Sequence, residues 1–128
     1  MADHAARITQ VGTVGIPVDD QERALAFYHD ALGFETRMDS EYGERQRWLE
    51  VAPPGAATSI ALVQSHDAYR AGVDTGIRFS TDDATADHAA LQARGADVGE
   101  IIPYPVPMFF IRDPDGNSLI IVERPRAT

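Results

Sequence analysis

Val18-Asp-Asp-Gln-Glu-Arg-Ala-Leu-Ala-Phe-Tyr-His-Asp-Ala-Leu-Gly-Phe34 ends a strand, opens a helix on acidic residues and stops it on a glycine. Asp19 or Asp20 can cap the helix N-terminus and suits the positive end of its dipole. Ala24, Leu25, Phe27, Tyr28, Ala31 and Leu32 recur at helical spacing, which gives one apolar stripe facing a core. Phe27 and Tyr28 are expected inside that core. Gly33 ends the helix. Upstream, Val14, Ile16 and Val18 alternate with Thr13, Gly15 and Pro17, the pattern of a strand with one apolar face.

The arrangement is repeated. Gly12-Thr-Val-Gly-Ile-Pro-Val-Asp-Asp20 has a counterpart in Thr75-Gly-Ile-Arg-Phe-Ser-Thr-Asp-Asp83, with Thr13 and Gly76 in matching places, 76 − 13 = 63 residues apart. A period of about half the chain indicates duplication rather than a solenoid, which needs three or more repeats. After the first helix come strands at 34–38, 46–51 and 59–63. Pro53-Pro54-Gly55 forces a turn between the last two. In the second half a helix at 84–94 ends at Gly95, and strands follow at 98–102, 109–112 and 118–123. Pro103, Pro105 and Pro107 break the chain between two of them, and Asp113-Pro-Asp-Gly-Asn117 makes a hairpin turn. One domain over residues 1–128 is expected, with modules at about 8–63 and 74–124 and a polar surface linker at about 64–73.

Composition narrows the function classes. The 128 residues fit one domain and include no cysteine, so disulfides, thiolate metal sites and Cys nucleophiles are excluded. A net charge of −9 argues against nucleic acid, which is bound by concentrated Lys and Arg. No apolar run approaches the roughly 20 residues that span a bilayer, and the first residues lack the apolar stretch of a signal peptide. A cytoplasmic protein with no membrane partner is expected. No Gly-rich phosphate loop, nucleophile elbow or His-Asp pairing for acyl transfer is visible.

Alternation also predicts sides. Val14, Ile16, Leu49, Val51, Ile77, Phe79, Leu119 and Ile121 should face the helices. Thr13, Gln46, Trp48, Glu50, Gly76, Arg78, Ser118 and Ile120 should face the other way. The second set mixes polar, charged and aromatic residues, which suits a partly enclosed cavity better than a core or a solvated surface. Within it Glu50 can act as a general base or hydrogen-bond acceptor, and Arg78 can grip an anionic group. The plainer reading pairs the two as a structural ion pair. Trp48 can stack on a flat ligand, with Tyr104, Met108 and Phe110 as an apolar wall, or all four can be ordinary packing.

The opening stretch and Ile111-Arg-Asp-Pro-Asp-Gly-Asn-Ser-Leu-Ile-Ile-Val-Glu123 together resemble the first-helix and closing-hairpin signatures of the glyoxalase/bleomycin-resistance/extradiol dioxygenase (vicinal oxygen chelate) superfamily. The resemblance covers roughly residues 8 to 124. It implies an α+β fold, in which two βαβββ modules form a curled, cup-like mixed sheet with helices on the outer face. It also implies a homodimer, which the exposed sheet edges favour too. Family enzymes place metal ligands at positions that fall here on Thr13, Glu50, Gly76 and Ile120. Only Glu50 is a usual ligand type, so no metal cofactor is expected. His4 falls in a tail, His29 and His88 on helices and His66 in the linker, all expected at the surface.

The resulting expectation is a small-molecule-binding protein of the glyoxalase/bleomycin-resistance type. It would bind a planar or partly anionic organic ligand through Thr13, Gln46, Trp48, Glu50, Arg78, Tyr104, Met108 and Phe110. The alternative is a glyoxalase-like lyase or isomerase, or a dioxygenase, with a weakly held divalent metal and Glu50 as its base.

Overall fold

The computed structural model describes residues 5–44 and 46–124; His4 lies outside them. Strand β1, Thr13–Val18, leads into α1, Gln21–Ala26. The Asp20 side chain caps α1 by accepting from Arg23 N at 3.1 Å. At Phe27 the helix widens into a π-helical turn, Phe27–Ala31, and Gly33 follows at φ 73°. The sequence pattern suggested one continuous α-helix; the wider turn keeps Tyr28 fully buried while Phe27 packs partly buried against the same core.

Strands β2 (Glu35–Glu41), β3 (Arg47–Ala52) and β4 (Ser59–Gln64) complete a four-stranded sheet in the order β1-β4-β3-β2. β1 runs parallel to β4 and the other pairs are antiparallel. β2 starts at Glu35 and extends to Glu41, beyond the expected 34–38, because it is an exposed edge strand without the apolar alternation that marks an end. Arg47 ties this edge down: its guanidinium donates to both Asp39 oxygens at 2.8 Å and to Glu22 at 2.6 Å.

The second module repeats the plan. β5 (Asp74–Thr81) precedes α2 (Ala84–Ala93), which Asp83 caps by accepting from Ala86 N at 3.0 Å. β6 (Asp97–Val98), β7 (Met108–Arg112) and β8 (Ser118–Glu123) make a second sheet ordered β5-β8-β7-β6, again with its first and last strands parallel. β6 is shorter than the expected 98–102. Beyond Gly99 the only further pairing is an isolated bridge from Ile102 to Met108, as the chain enters a segment whose prolines have no N–H to give a ladder.

The architecture is thus α+β: two open, cup-like mixed sheets with the helices on their outer faces. Ile16, Leu49, Val51, Leu119 and Ile121 enter the core with Ala24, Tyr28 and Leu91 from the helices, and Val14, Ile77 and Phe79 pack against it. The closing hairpin joins the modules. Tyr28 donates its hydroxyl to Asp113 Oδ2 at 2.9 Å, and the buried Asn117 donates Nδ2 to the Pro17 carbonyl at 2.7 Å. Burial beside the Asp113 carboxylate pushes the Tyr28 phenol far above its ordinary pKa, so it stays a donor.

Candidate functional site

On the first sheet, the face away from the helices is set by register. Thr13 lies beside Ser59, Gly15 beside Ala61 and Pro17 beside Val63, and Glu50 on β3 lies opposite Ala61. The alternate residues Ile16, Leu49, Ile60 and Leu62 fill the core. Four polar groups on the open face are joined in one chain. The Trp48 indole donates Nε1–H to Glu50 Oε2 at 2.6 Å, and Ser59 Oγ donates to Glu50 Oε1 at 2.6 Å. With its proton committed to Glu50, Ser59 accepts from Thr13 Oγ1 at 3.1 Å.

This chain fixes the chemistry of Glu50. The hydrogen bonds from Ser59, then from Trp48, hold its carboxyl below the ordinary glutamate pKa. Both oxygens already have a donor. A carboxylate stabilised in this way is a weak base near neutral pH but a well-placed acceptor. It also locks the indole, so Trp48 is pre-oriented on the open face.

The second sheet presents Arg78 from β5, Ile120 and Val122 from β8, and Met108 and Phe110 from β7 on its corresponding face. Arg78, Met108 and Val122, with Pro105 and Val106, line an open cavity of about 600 Å³. The Arg78 guanidinium is exposed and donates to the Gly76 carbonyl of its own strand at 3.2 Å. A further cavity of about 420 Å³ lies where Gly76, Arg78 and Ser80 meet Val14 and Ile60 of the first module.

The structure therefore brings Thr13, Trp48 and Glu50 together on one sheet and Arg78, Met108 and Phe110 on the other. The suggested Glu50–Arg78 ion pair does not form: Glu50 is held by Trp48 and Ser59, and Arg78 by its own strand. Gln46 is exposed and lines a separate cavity of about 330 Å³ with Tyr42, Val63 and His66. Tyr104 stands 83% exposed, away from any wall within the chain. His88 is not a free surface residue. It is half-buried, its Nε2 lies 2.8 Å from the Gly99 carbonyl and its ring meets Phe109 edge-on. His29 is exposed beside Asp30, and His66 is exposed in the linker.

The four positions that the resemblance marks for metal ligands do not fit a chelated cation. Gly76 has no side chain, Ile120 is a buried hydrocarbon, Thr13 is a neutral hydroxyl, and both Glu50 oxygens accept hydrogen bonds. Among the described residues no group of three or more His, Asp or Glu side chains could hold a metal ion.

Two residues of the open face were not singled out from the sequence. Ser59 could have been found, since Ser59, Ala61 and Val63 alternate with Ile60 and Leu62. Tyr69 could not, because its place depends on how the linker folds.

A duplicated βαβββ plan, open sheets and a polar–aromatic inner face define the class of protein. The chain belongs to the Glyoxalase/Bleomycin resistance protein/Dioxygenase superfamily, whose sequence profile matches residues 7–121. It is 30% identical over 123 residues to YetH, an uncharacterised protein of Bacillus subtilis (strain 168), covering 91% of this chain and 99% of YetH. Among solved structures it is similar to TnmS3, an antibiotic binding protein from Streptomyces sp. CB03234. The identity is 37% and the TM-score 0.83, covering 93% of this chain and 98% of TnmS3. A superfamily member from Sphaerobacter thermophilus DSM 20745 is 36% identical with a TM-score of 0.84, covering 91% and 98% of the two chains. No helix of the described residues is long and apolar enough to cross a membrane.

Proposed function

We propose that this protein binds a planar, partly anionic organic molecule, in the manner of an antibiotic-binding protein, without a metal and without turning the ligand over. The observation that carries this reading is the Trp48–Glu50–Ser59–Thr13 chain. It holds an aromatic surface and a fixed acceptor ready on an open face while lowering the basicity of the one carboxylate there. The likeness to TnmS3 at 37% identity supports the same reading.

In this reading Trp48 supplies the stacking surface, Glu50 and Thr13 orient the ligand's polar edge, and Arg78 with Met108 and Phe110 supplies a cationic and apolar counterpart. The two faces belong to different four-stranded sheets, both of them open, which supports a homodimer in which two cups oppose each other. A mass near twice 13.9 kDa by light scattering at micromolar concentration tests that assembly.

Trp48 is the one tryptophan of the chain, so it reports on its own site. Titration with planar aromatic carboxylates, and with bleomycin, should quench its fluorescence saturably, and Trp48→Phe should weaken the binding measured by calorimetry. Quantitative metal analysis of protein purified without chelators should find no stoichiometric cation. Stoichiometric nickel, zinc or iron, or turnover of a methylglyoxal–glutathione adduct or a catechol, overturns the reading.

A further inference from the structure

The linker does more than cross the surface. His66 N donates to the Tyr69 carbonyl at 3.1 Å and Tyr69 N donates to the His66 carbonyl at 2.9 Å, closing a tight turn. The turn carries the Tyr69 ring back over the first sheet. A Cβ added at Gly15 would lie 2.7 Å from the Tyr69 hydroxyl and 3.8 Å from Val63 Cγ2. Gly15 points to the open face with Thr13, so the hydroxyl stands on that face, in space that a side chain at position 15 would occupy. The ring is half-buried and lies 6.0 Å from the His66 ring, centroid to centroid.

Register gives the span from Tyr69 to Trp48. Glu50 opposes Ala61, which neighbours Gly15 on β1, and Trp48 lies two residues along β3 from Glu50 on the same face. The β1 and β3 strands are two strand spacings apart, about 10 Å. That is the length of a fused two- or three-ring system. Ala61, between them, is buried. Among the described residues the Tyr69 hydroxyl has no hydrogen-bond partner, whereas Thr13, Ser59, Glu50 and Trp48 are all engaged.

We propose that Tyr69 is a specificity-determining residue: its hydroxyl donates a hydrogen bond to a carbonyl or similar acceptor oxygen on a planar ligand whose rings rest on Trp48. The inference builds on the small-molecule-binding reading above. Burial raises the Tyr69 phenol above its ordinary pKa, so the hydroxyl is a donor at neutral pH as an ordinary tyrosine is. Gly15 is then part of the same device, as the gap that admits the hydroxyl.

The test uses two probes, a fluorenone carboxylate and the matching fluorene carboxylate, in which CH₂ replaces the ring carbonyl. Calorimetry on the full chain should show the wild type preferring the fluorenone acid by about 3- to 10-fold, the net effect of one hydrogen bond. Tyr69→Phe should bind both acids equally, with the fluorene acid unchanged from wild type. Gly15→Ala, whose methyl displaces the hydroxyl, should lose the same preference with Tyr69 intact. A thermal melt of each variant checks that it is folded. A preference retained by either variant, or missing from the wild type while both acids bind, overturns the assignment to Tyr69 alone. Failure of both acids to bind wild type overturns the underlying reading and this inference with it.

Discussion

Asn117→Ala is expected to loosen both modules at once. Asn117 is fully buried. Its Nδ2 donates to the Pro17 carbonyl at 2.7 Å and to Asp113 Oδ2 at 3.0 Å, and its Oδ1 accepts from Gly72 N at 2.9 Å and Val73 N at 3.1 Å. One amide therefore joins β1, the end of the linker and the closing hairpin. Alanine removes all four bonds and leaves backbone groups on two segments without their partner. At about 1 kcal/mol for each of the three backbone groups stranded, the loss is about 3 kcal/mol. With an unfolding entropy of about 2.1 cal/mol/K per residue, the 128 residues give about 0.27 kcal/mol/K, so Tm should fall by about 11 °C. Urea unfolding followed through Trp48 should show a lower midpoint at unchanged slope. Asn117→Asp should be at least as damaging, since it turns an oxygen toward Pro17 O and Asp113 instead of a donor. A loss below about 1 kcal/mol for Asn117→Ala would refute the claim that this amide joins the modules.

Glu50→Gln should change the acid limb of stability. The folded carboxyl titrates below its ordinary value of 4.5 because Ser59 and Trp48 bond its ionised form. Its contribution is complete above that value and disappears as pH falls through the folded pKa. The Tm difference between wild type and Glu50→Gln should therefore shrink as pH is lowered below 4.5 and stay flat above it; a difference that grows on acidification contradicts the assignment. Arg78→Ala should weaken binding of a planar carboxylate by about 1.5–3 kcal/mol, the scale of a charged hydrogen bond. It should leave Tm nearly unchanged, because the guanidinium is exposed and contacts its own strand. Unchanged calorimetric affinity with a lowered Tm would make Arg78 a structural residue.

Much of this protein follows from short-range patterning. Period-2 alternation at Thr13–Val18 and Asp74–Thr81, together with the Asp caps before each helix, fixes which side chains enter the core, because a one-residue slip would turn every one of them outward. The duplication and the superfamily resemblance are legible for the same reason: strand, cap and stop signals are local. Trp48, Glu50 and Thr13 could be placed on one face by parity alone.

What parity cannot give is the partner of each group. Glu50 and Arg78 share a face type but sit on different sheets, so the pairing that their charges suggested gives way to Ser59 and Trp48, which the ladder brings within 2.6 Å. Asp113-Pro-Asp-Gly-Asn117 reads as a turn, yet its buried side chains also reach Tyr28 and Pro17, 85 and 100 residues away. Tyr69 belongs to a segment that reads as a polar crossing, and only the packing of that turn over Gly15 brings its hydroxyl to the open face. Sequence alone thus determined the order of the elements and the inward or outward side of most strand residues, because those depend on backbone periodicity. The tertiary structure decided which polar groups meet, because contacts between distant segments depend on how sheets, hairpin and linker stack in space.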